Sequence, residues 1–356
     1  MATGVRAAWP ACTIRCCPMA DGGNGTLDVL LAARKGHEIR TQARDVLGRV
    51  HAVRYGLLSD AEGAEAVIEV AEIVGLHDAP GHVLERTSAG VGDVLRDALD
   101  RGLRRFQIGL GGTGTNDGGA GFLEALGARF LGPGGRLLRP SPNELLAMEA
   151  IDLQALDHRL RECSITVLAD VANPLSGPEG ATLEYGPQKG IPRHELARYD
   201  ALLARLAELY AEQTGRDCAQ PAGSGAAGGL GAALIALGAP IESGARVLAR
   251  YVGLDAMLVG ATLLLTGEGR TDRQTLQGKV PWVVAGMAAD AGVAGALISG
   301  QIETDVRPAL SQRFVAFRAL ANHPEDASMA HYNPFHRLAG TARELMAAVW
   351  REGDHD

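Results

Sequence analysis

Short apolar runs alternate along the chain with longer stretches whose apolar residues recur at helical spacing. The clearest helix is predicted over residues 88–101, where one face carries Val91, Val94, Leu95, Ala98 and Leu99. Gly102 ends this helix, and the apolar run 106–110 that follows is predicted to be a strand. Because such strand and helix patterns alternate for most of the length, the sequence predicts an α/β protein with largely parallel sheets.

Three of the predicted strands lead into loops that carry glycine or acidic residues. The strand 106–110 runs into residues 109–121, which read Gly-Leu-Gly-Gly-Thr-Gly-Thr-Asn-Asp-Gly-Gly-Ala-Gly. The strand 164–168 leads to Asp170, and the strand 261–265 leads to Glu268. Open α/β sheets bind ligands beyond the carboxyl ends of their strands. These loops are therefore the first candidates for a functional site.

The loop 109–121 has the composition of an anion-binding nest. Its glycines allow positive φ angles and close approach, so that successive N–H groups can converge on one anion, and Asp117 adds a carboxylate for a phosphate-bound cation. The loop lacks the Gly-Lys-Ser/Thr ending of a Walker A loop and the regular spacing of a dinucleotide fingerprint. It predicts a phosphate substrate or cofactor, and a purely structural surface loop is the alternative.

Four other segments have both a functional and a structural interpretation. Residues 21–26, Asp-Gly-Gly-Asn-Gly-Thr, place a carboxylate and free N–H groups before a predicted helix over 27–33, or form a simple capped turn. Residues 186–190 present Lys189 on a rigid turn, or hold a solvated lysine. Residues 267–279 favour substrate handling over a salt-bridged helix start. Residues 223–229 favour a second nest that begins a helix over a flexible linker.

Charge and composition limit the partners. The net charge of −8 is spread without clustered Lys and Arg, which argues against nucleic acid. No apolar run approaches the roughly twenty residues that span a bilayer, so no membrane association is expected. Five cysteines in a chain of 356 residues suit a reducing compartment better than a disulfide scaffold. We expect a cytoplasmic protein that acts on small molecules.

Taken together, these segments resemble the type I glycerate kinase family, in matching order and spacing from about residue 11 to residue 300. The matching segments are 18–23, 87–92, 109–121, 170–175, 186–190, 223–229 and 267–274. The resemblance implies an ATP-dependent kinase of organic acid metabolism that phosphorylates a hydroxyl of D-glycerate. It also implies two dissimilar α/β domains, one flavodoxin-like and one like restriction endonucleases, that face each other across an active-site cleft.

The expected domains are residues 1–47 with 260–356, and residues 48–259. Two departures from the family pattern accompany this expectation. Family members ordinarily begin with a strand that ends in Asp-Ser-Phe-Lys-Gly, whereas this sequence opens at Met-Ala-Thr-Gly, which corresponds to a position inside the following helix. We expect upstream codons to encode the missing strand and its lysine. The family usually has Glu at the position of Asn24, which cannot act as a base.

The resemblance implies a role for each candidate site residue. Phosphate contacts of ATP are expected from Gly111, Gly112, Thr113, Thr115, Asn116, Asp117 and Gly118. Magnesium ligands are expected among Asp117, Asp170 and Glu268. Lys189 and Arg270 would neutralise phosphoryl or carboxylate charge, and Asp21 would accept the hydroxyl proton. Asp272 and Lys279 would support substrate binding.

Two other functions remain open at this stage. The first is a nucleotide-binding or acid-sugar-binding protein without catalysis, and the second is a Mg²⁺-dependent phosphohydrolase that uses similar carboxylates. The polar stretch 322–336 contains three histidines, whose spacing fits no helix face. It is predicted to be a solvated loop, with a metal site as the alternative.

Overall fold

The structure is a computed structural model that describes residues 1–61, 63–76, 79, 81–321 and 334–353. Its contacts divide the chain into two compact units. We call Met1–Met19 together with Ala249–Asp356 unit 1, and Ala20–Leu248 unit 2. The described strands are β1 (His37–Arg44), β2 (Val50–Asp60), β3 (Gly63–Glu69), β4 (Arg105–Gly109), β5 (Arg129–Leu131), β6 (Ala150–Asp152), β7 (Ser164–Ala169), β8 (Ile241–Ser243), β9 (Leu263–Thr271), β10 (Ala294–Ile302) and β11 (Ala316–Ala319).

The helices alternate with these strands, as the α/β pattern predicted. They are α1 (Ala2–Ala8), α2 (Thr26–Arg34), α3 (Ala71–Val74), α4 (Ala89–Asp100), α5 (Ala120–Ala125), α6 (Pro142–Leu145), α7 (Ala181–Lys189), α8 (Leu196–Thr214), α9 (Ala226–Ala236), α10 (Gly244–Val252), α11 (Leu254–Leu258), α12 (Arg273–Leu276), α13 (Val280–Asp290), α14 (Arg307–Leu310) and α15 (Pro334–Gly353). No helix in the described ranges has the length and apolar character needed to cross a membrane.

Unit 2 is built on a six-stranded sheet with the order β1-β2-β3-β4-β7-β8. The pairs β1/β2 and β2/β3 are antiparallel, whereas β3/β4, β4/β7 and β7/β8 are parallel. The predicted helix over 88–101 is α4, and its apolar face is buried in the core of this unit. The largely parallel α/β class predicted from the sequence is confirmed.

The boundaries between the two units lie at other positions than the sequence predicted. Boundaries were expected near residues 47 and 259, whereas the compact units divide after Met19 and after Leu248. The antiparallel pairing of β1 with β2 explains the first difference, because it joins the residues on both sides of position 47 into one sheet. The cleft expected from the family resemblance stays a prediction.

Unit 1 contains a three-stranded parallel sheet with the order β11-β10-β9. One apolar cluster includes Leu297, Leu310 and Phe314, and another includes Ile298 and Leu345. A cavity of about 840 Å³ lies beside β9 and is lined mainly by apolar side chains. The sequence predicted that β9 ends near residue 265, but the strand continues to Thr271, because residues 266–271 go on pairing with β10.

Candidate functional site

Three neighbouring parallel strands of unit 2 end at the same edge of the sheet. Glu69 ends β3, Gly109 ends β4 and Ala169 ends β7. The segment that precedes α2 packs against this edge so tightly that only glycine fits. A Cβ on Gly22 would lie 2.5 Å from the Leu168 carbonyl oxygen. The predicted loops after β4 and β7 therefore lie at the same carboxyl edge, whereas the predicted loop with Glu268 belongs to unit 1.

The glycine loop after β4 lies directly on the segment 21–25. The Gly111 N–H donates to the Gly22 carbonyl over 3.0 Å, and a Cβ on Gly111 would lie 2.3 Å from the Gly23 Cα. Asn24 is exposed, and its Oδ1 lies 2.4 Å from the place where a Gly112 Cβ would be. The glycines thus let two backbones touch, which fixes the solvent-facing part of this edge.

Asp21 lies at the start of this segment and is half-buried. One carboxylate oxygen accepts a hydrogen bond of 3.2 Å from the Gly23 N–H. No partner for the second oxygen is present in the part of the chain that the structure describes. Asp21 therefore combines a fixed position with an acceptor that is free for another group.

Glu69 is a site residue that the sequence analysis missed. It is 2% exposed, and its two carboxylate oxygens accept hydrogen bonds from the Gly25 N–H at 3.1 Å and the Leu27 N–H at 2.9 Å. Burial raises the pKa of Glu69, and these two bonds oppose that increase. The N–H groups at the start of α2 were expected to be free for a ligand. Two of them are occupied by a carboxylate of the protein instead.

Asp117 accepts hydrogen bonds from four donors within unit 2. It is fully buried and accepts from the Ser88 N–H at 2.7 Å, the Ser88 hydroxyl at 2.8 Å, the Gly119 N–H at 3.2 Å and the Gly121 N–H at 3.1 Å. Burial raises the pKa of Asp117, and the bonds oppose the increase. Because both oxygens are engaged and shielded from solvent, this geometry holds the loop and does not leave a position for a metal ion.

Most of the predicted nest is buried. Gly112 is exposed and Gly111 is partly exposed, whereas the other predicted phosphate contacts are all buried: Thr113, Thr115, Asn116, Asp117 and Gly118. In the buried part, Gly118 N–H donates to the Gly228 carbonyl over 2.9 Å. The glycines of this part serve close packing of the protein, so the surface that can meet a ligand is narrower than the sequence suggested.

The second glycine segment packs under the first. Ala227, Gly228 and Gly229 have φ angles of 55°, 66° and 92°, after which the chain continues as helix through Ala236. A Cβ on Gly228 would lie 2.0 Å from the Thr115 carbonyl oxygen. The prediction that residues 223–229 begin a helix, and are not a flexible linker, is confirmed.

Lys189 lies elsewhere than the sequence predicted. It was expected at the tip of a turn, but it is a buried residue in the last turn of α7, which ends because Gly190 adopts a φ of 97°. Its Nζ donates to the Thr115 carbonyl over 2.7 Å. Burial lowers the pKa of Lys189 to about 8, with Asp117 opposing and Arg86 adding to the decrease.

Arg86 is a second buried cation at this loop, and the sequence analysis missed it. Its guanidinium donates to the Gly114 carbonyl at 3.0 Å and to the Gly81 carbonyl at 2.7 Å. Lys189 and Arg86 thus bind successive stretches of the glycine loop through its carbonyl oxygens. The loop that carries the exposed Gly111 and Gly112 is therefore anchored through its carbonyls by two buried cations.

The lowered pKa of Lys189 predicts that the free energy of unfolding rises between about pH 8 and pH 10.5. In that range an unfolded lysine, with its ordinary pKa of 10.5, binds a proton that the folded protein has lost, so alkaline pH favours the folded state. This difference in proton binding raises the free energy of unfolding by roughly 2–3 kcal/mol between pH 7 and pH 10. Guanidinium unfolding at pH 7 and pH 10 should show wild type gaining this amount relative to Lys189→Met.

Lys35→Met is the matched control, because Lys35 is exposed. It should follow wild type at both pH values. A Lys189→Met variant whose stability changes with pH as much as that of wild type would contradict the prediction.

Asp170 is the remaining candidate of unit 2. It directly follows β7, is half-buried and takes part in a polar interaction. Nearby, Asn173 accepts a hydrogen bond of 2.8 Å from the Tyr185 hydroxyl. Within the described ranges, no group of three or more His, Cys, Asp or Glu side chains is arranged to hold a metal ion. Any metal there would need ligands from its substrate or from water.

Unit 1 contains the other four predicted site residues. Glu268 lies in β9, where one carboxylate oxygen accepts hydrogen bonds of 2.8 Å from the hydroxyls of Thr271 and Thr275. Burial raises the pKa of Glu268, and the two hydroxyls oppose the increase. Its second oxygen has no hydrogen-bond partner within the described residues. Glu268 is therefore half-buried with one acceptor available.

The other three residues of unit 1 form a charged helix start. Asp272 caps α12 by accepting from the N–H groups of Gln274 at 3.0 Å and Thr275 at 3.3 Å, and Lys279 lies 3.8 Å from the same carboxylate. Arg270 is largely exposed and pairs with Glu303. This is the salt-bridged helix start that the sequence analysis considered less favoured. Substrate binding by these residues stays a prediction.

The histidine-bearing stretch lies mostly outside the described residues, which resume at Pro334. His336 is described in α15. Neither the loop nor the metal interpretation of residues 322–333 is therefore addressed by the structure.

Comparison with known proteins gives a consistent result over nearly the whole chain. Residues 1–350 match the model of the glycerate kinase family. The chain belongs to this family. A glycerate kinase of Bacillus subtilis is 35% identical over 350 residues, which cover 97% of this chain and 91% of the relative. The glycerate 2-kinase of Escherichia coli K12 is 38% identical over 303 residues, covering 83% and 79%.

A solved structure supports the same assignment. The crystal structure of glycerate kinase 2 from Salmonella typhimurium LT2 matches with a TM-score of 0.75 at 36% identity, covering 99% of this chain and 93% of that one. Membership of the glycerate kinase family makes the protein a kinase, and the family predicted from the sequence motifs is confirmed.

Proposed function

We propose that this kinase transfers the terminal phosphoryl group of ATP to a hydroxyl of D-glycerate in the presence of Mg²⁺. Membership of the glycerate kinase family supports the class of substrate. The observation that carries the proposal is the geometry of Asp21, a fixed carboxylate with a free oxygen beside the exposed end of a glycine loop. Phosphoryl transfer requires mainly positioning and charge neutralisation, and the fixed Asp21 carboxylate would serve the positioning.

Asp21 is the proposed base that accepts the proton of the attacking hydroxyl. A base must combine a suitable acceptor with a fixed place relative to the substrate. The Gly23 N–H donates to one oxygen of Asp21, and the other oxygen has no hydrogen-bond donor among the described residues. A hydroxyl of glycerate that donates a hydrogen bond to this oxygen would be positioned by that contact and would lose its proton through it.

The phosphate contacts are proposed for Gly111 and Gly112 and not for the whole loop. The φ of 69° at Gly112 and its exposure leave an N–H without a partner in the described residues, which is a fitting donor for an anion. The buried residues Asp117 and Lys189 would hold this loop in place from below. Removing either should then act on the loop and not on a direct ligand contact.

Asp170 in unit 2 and Glu268 in unit 1 are each a better candidate for a magnesium ligand than Asp117. Magnesium in kinases is held by one or two carboxylates together with phosphate oxygens and water. Glu268 has a free carboxylate oxygen and Asp170 follows a strand end, whereas both oxygens of Asp117 are taken by buried donors. Bound Mg²⁺ would supply positive charge to the phosphate oxygens during transfer.

The cations of unit 1 are proposed to bind negative charge of the substrates. Lys279 keeps donor capacity beyond its 3.8 Å contact with Asp272, and Arg270 is exposed. In this proposal Asp272 orients Lys279 through that ion pair. An ammonium or guanidinium group is suited to a carboxylate or phosphate partner.

A coupled assay of ADP release tests the proposed function. We expect ADP to form only when D-glycerate, ATP and Mg²⁺ are all present, and EDTA to abolish it. Equal ADP release without an acid would favour the phosphohydrolase instead. Binding of ATP or glycerate without any turnover would favour the non-catalytic protein, and the same preparation should be checked for native circular dichroism.

A further inference from the structure

We propose that Glu69 is a positioning residue that holds Asp21 in place for phosphoryl transfer. The inference rests on the function proposed above and extends it to a residue at the end of β3, separate from the motifs that mark the site in the sequence. Glu69 does not need to touch a substrate in this role. It acts through the backbone of the segment that joins Asp21 to α2.

The carboxylate of Glu69 bridges two N–H groups of that segment. One oxygen accepts from Gly25 at 3.1 Å and the other from Leu27 at 2.9 Å. Both bonds are to a residue that is 2% exposed, so water does not compete for them. A carboxylate that accepts one bond on each oxygen fixes the orientation of the segment as well as its distance from the sheet.

A short series of contacts leads from Glu69 to Asp21. Thr26 lies between the two residues that Glu69 binds, and its hydroxyl accepts a hydrogen bond of 3.0 Å from the Gly22 N–H. Gly22 follows Asp21 directly, and its carbonyl receives the N–H of Gly111. A shift of the segment at residues 25–27 would therefore move Asp21.

The Glu69 carboxylate lies 44 and 42 positions along the chain from the two N–H groups that it accepts from. This separation argues that Glu69 does more than cap the helix. Gly25 is the N-cap of α2 and offers no side chain, whereas a Ser, Thr or Asp at that position could cap the helix locally. The acceptor instead comes from β3, next to the start of the glycine loop, where the Val70 N–H donates to the Gly109 carbonyl over 3.0 Å. This arrangement ties the Asp21 segment and the glycine loop to one rigid strand end.

The test is a double-mutant cycle between Glu69 and Asp21. Glu69→Gln keeps the size of the side chain but turns one acceptor into an NH₂ donor that faces a backbone N–H. We expect kcat for D-glycerate to fall at least about tenfold, with KM for ATP and glycerate within about threefold of wild type. In an Asp21→Asn background the same change should lower kcat by less than about twofold, since the positioned group is gone.

Two further variants separate positioning from stability. Glu69→Asp keeps two acceptor oxygens on a shorter side chain and should recover part of the lost kcat. If Glu69→Gln does not fold, the cycle is carried out with Glu69→Asp. Glu72→Gln is the matched control, because Glu72 is a nearby carboxylate that pairs with Arg54 and has no hydrogen bond to residues 21–27 among the described contacts. It should leave kcat unchanged.

Each outcome decides the inference. Wild-type kcat in Glu69→Gln would overturn it while leaving the proposed function intact. A loss of kcat that is equally large in the Asp21→Asn background would also overturn it, because Glu69 would then act independently of Asp21. Wild-type protein that releases no ADP with D-glycerate and Mg·ATP would refute the proposed function, and the inference with it.

Discussion

The Asp21→Asn variant is expected to keep its fold and to lose roughly a thousandfold in kcat, the middle of the range for a general base. Asparagine has nearly the same shape, and its carbonyl oxygen can still accept from the Gly23 N–H. It cannot take a proton from the substrate hydroxyl. The KM for ATP should stay within about threefold of wild type, since the lost interaction belongs to the acceptor hydroxyl. Coupled ADP release with D-glycerate measures both constants.

Asp28→Asn is the control for this variant. Asp28 lies on the adjoining helix α2, is exposed and pairs with Arg54. It removes the same charge a short distance along the chain without touching the proposed base, so its kcat should match that of wild type. If Asp21→Asn keeps more than about a tenth of wild-type kcat, a base role for Asp21 would be contradicted.

The local parts of the fold could be predicted from the sequence because they depend on local patterns. The apolar spacing in α4 and the apolar runs in β4 and β7 gave those elements nearly their observed bounds. The general rule for open α/β sheets then predicted that the loops after β4 and β7 meet. The family motifs also lie in these loops, which is why the family could be predicted together with the fold.

The supports of the site could not be predicted in the same way. Glu69 binds residues 42 and 44 positions away, and the pattern of an apolar strand gives no sign of that contact. A sequence also does not distinguish a glycine that approaches a ligand from one that approaches another backbone. In the loop after β4, Gly111 meets Gly23, and Gly118 meets the side chain of Leu206, so packing explains glycines that suggested a nest.

Lys189 shows how turn residues can mislead. Gly186, Pro187 and Gly190 around it are typical of a turn, but the residues from Ala181 onward are helical, and Gly190 ends the helix in a left-handed conformation. The lysine therefore lies inside the fold, where its nearest hydrogen-bond acceptor is the Thr115 carbonyl. The local composition identified Lys189 as a charged residue of interest. Only the long-range packing of α7 shows that its ammonium group binds the glycine loop inside the fold.

Gly228→Ala should lower the free energy of unfolding by about 2–5 kcal/mol, the sum of two costs. The φ of 66° costs an alanine roughly 1–2 kcal/mol. The new Cβ would also lie 2.0 Å from the Thr115 carbonyl oxygen and 2.8 Å from the Asn116 Cα, so a backbone must move. Overpacking typically costs about 1–3 kcal/mol, and the movement also weakens the bond from Gly118 N–H to the Gly228 carbonyl.

Gly215→Ala separates these two costs. Gly215 has a φ of 72°, close to that of Gly228, but a Cβ there would meet nothing within 4 Å. Its variant should lose only about 1–2 kcal/mol in guanidinium unfolding followed by circular dichroism. If Gly228→Ala lost no more than Gly215→Ala, the close contact between the two glycine segments would not be present in solution. A larger loss in Gly228→Ala than in Gly215→Ala, together with a fall in kcat in Gly228→Ala alone, would instead show that the buried second segment keeps Gly111 and Gly112 in the position the reaction needs.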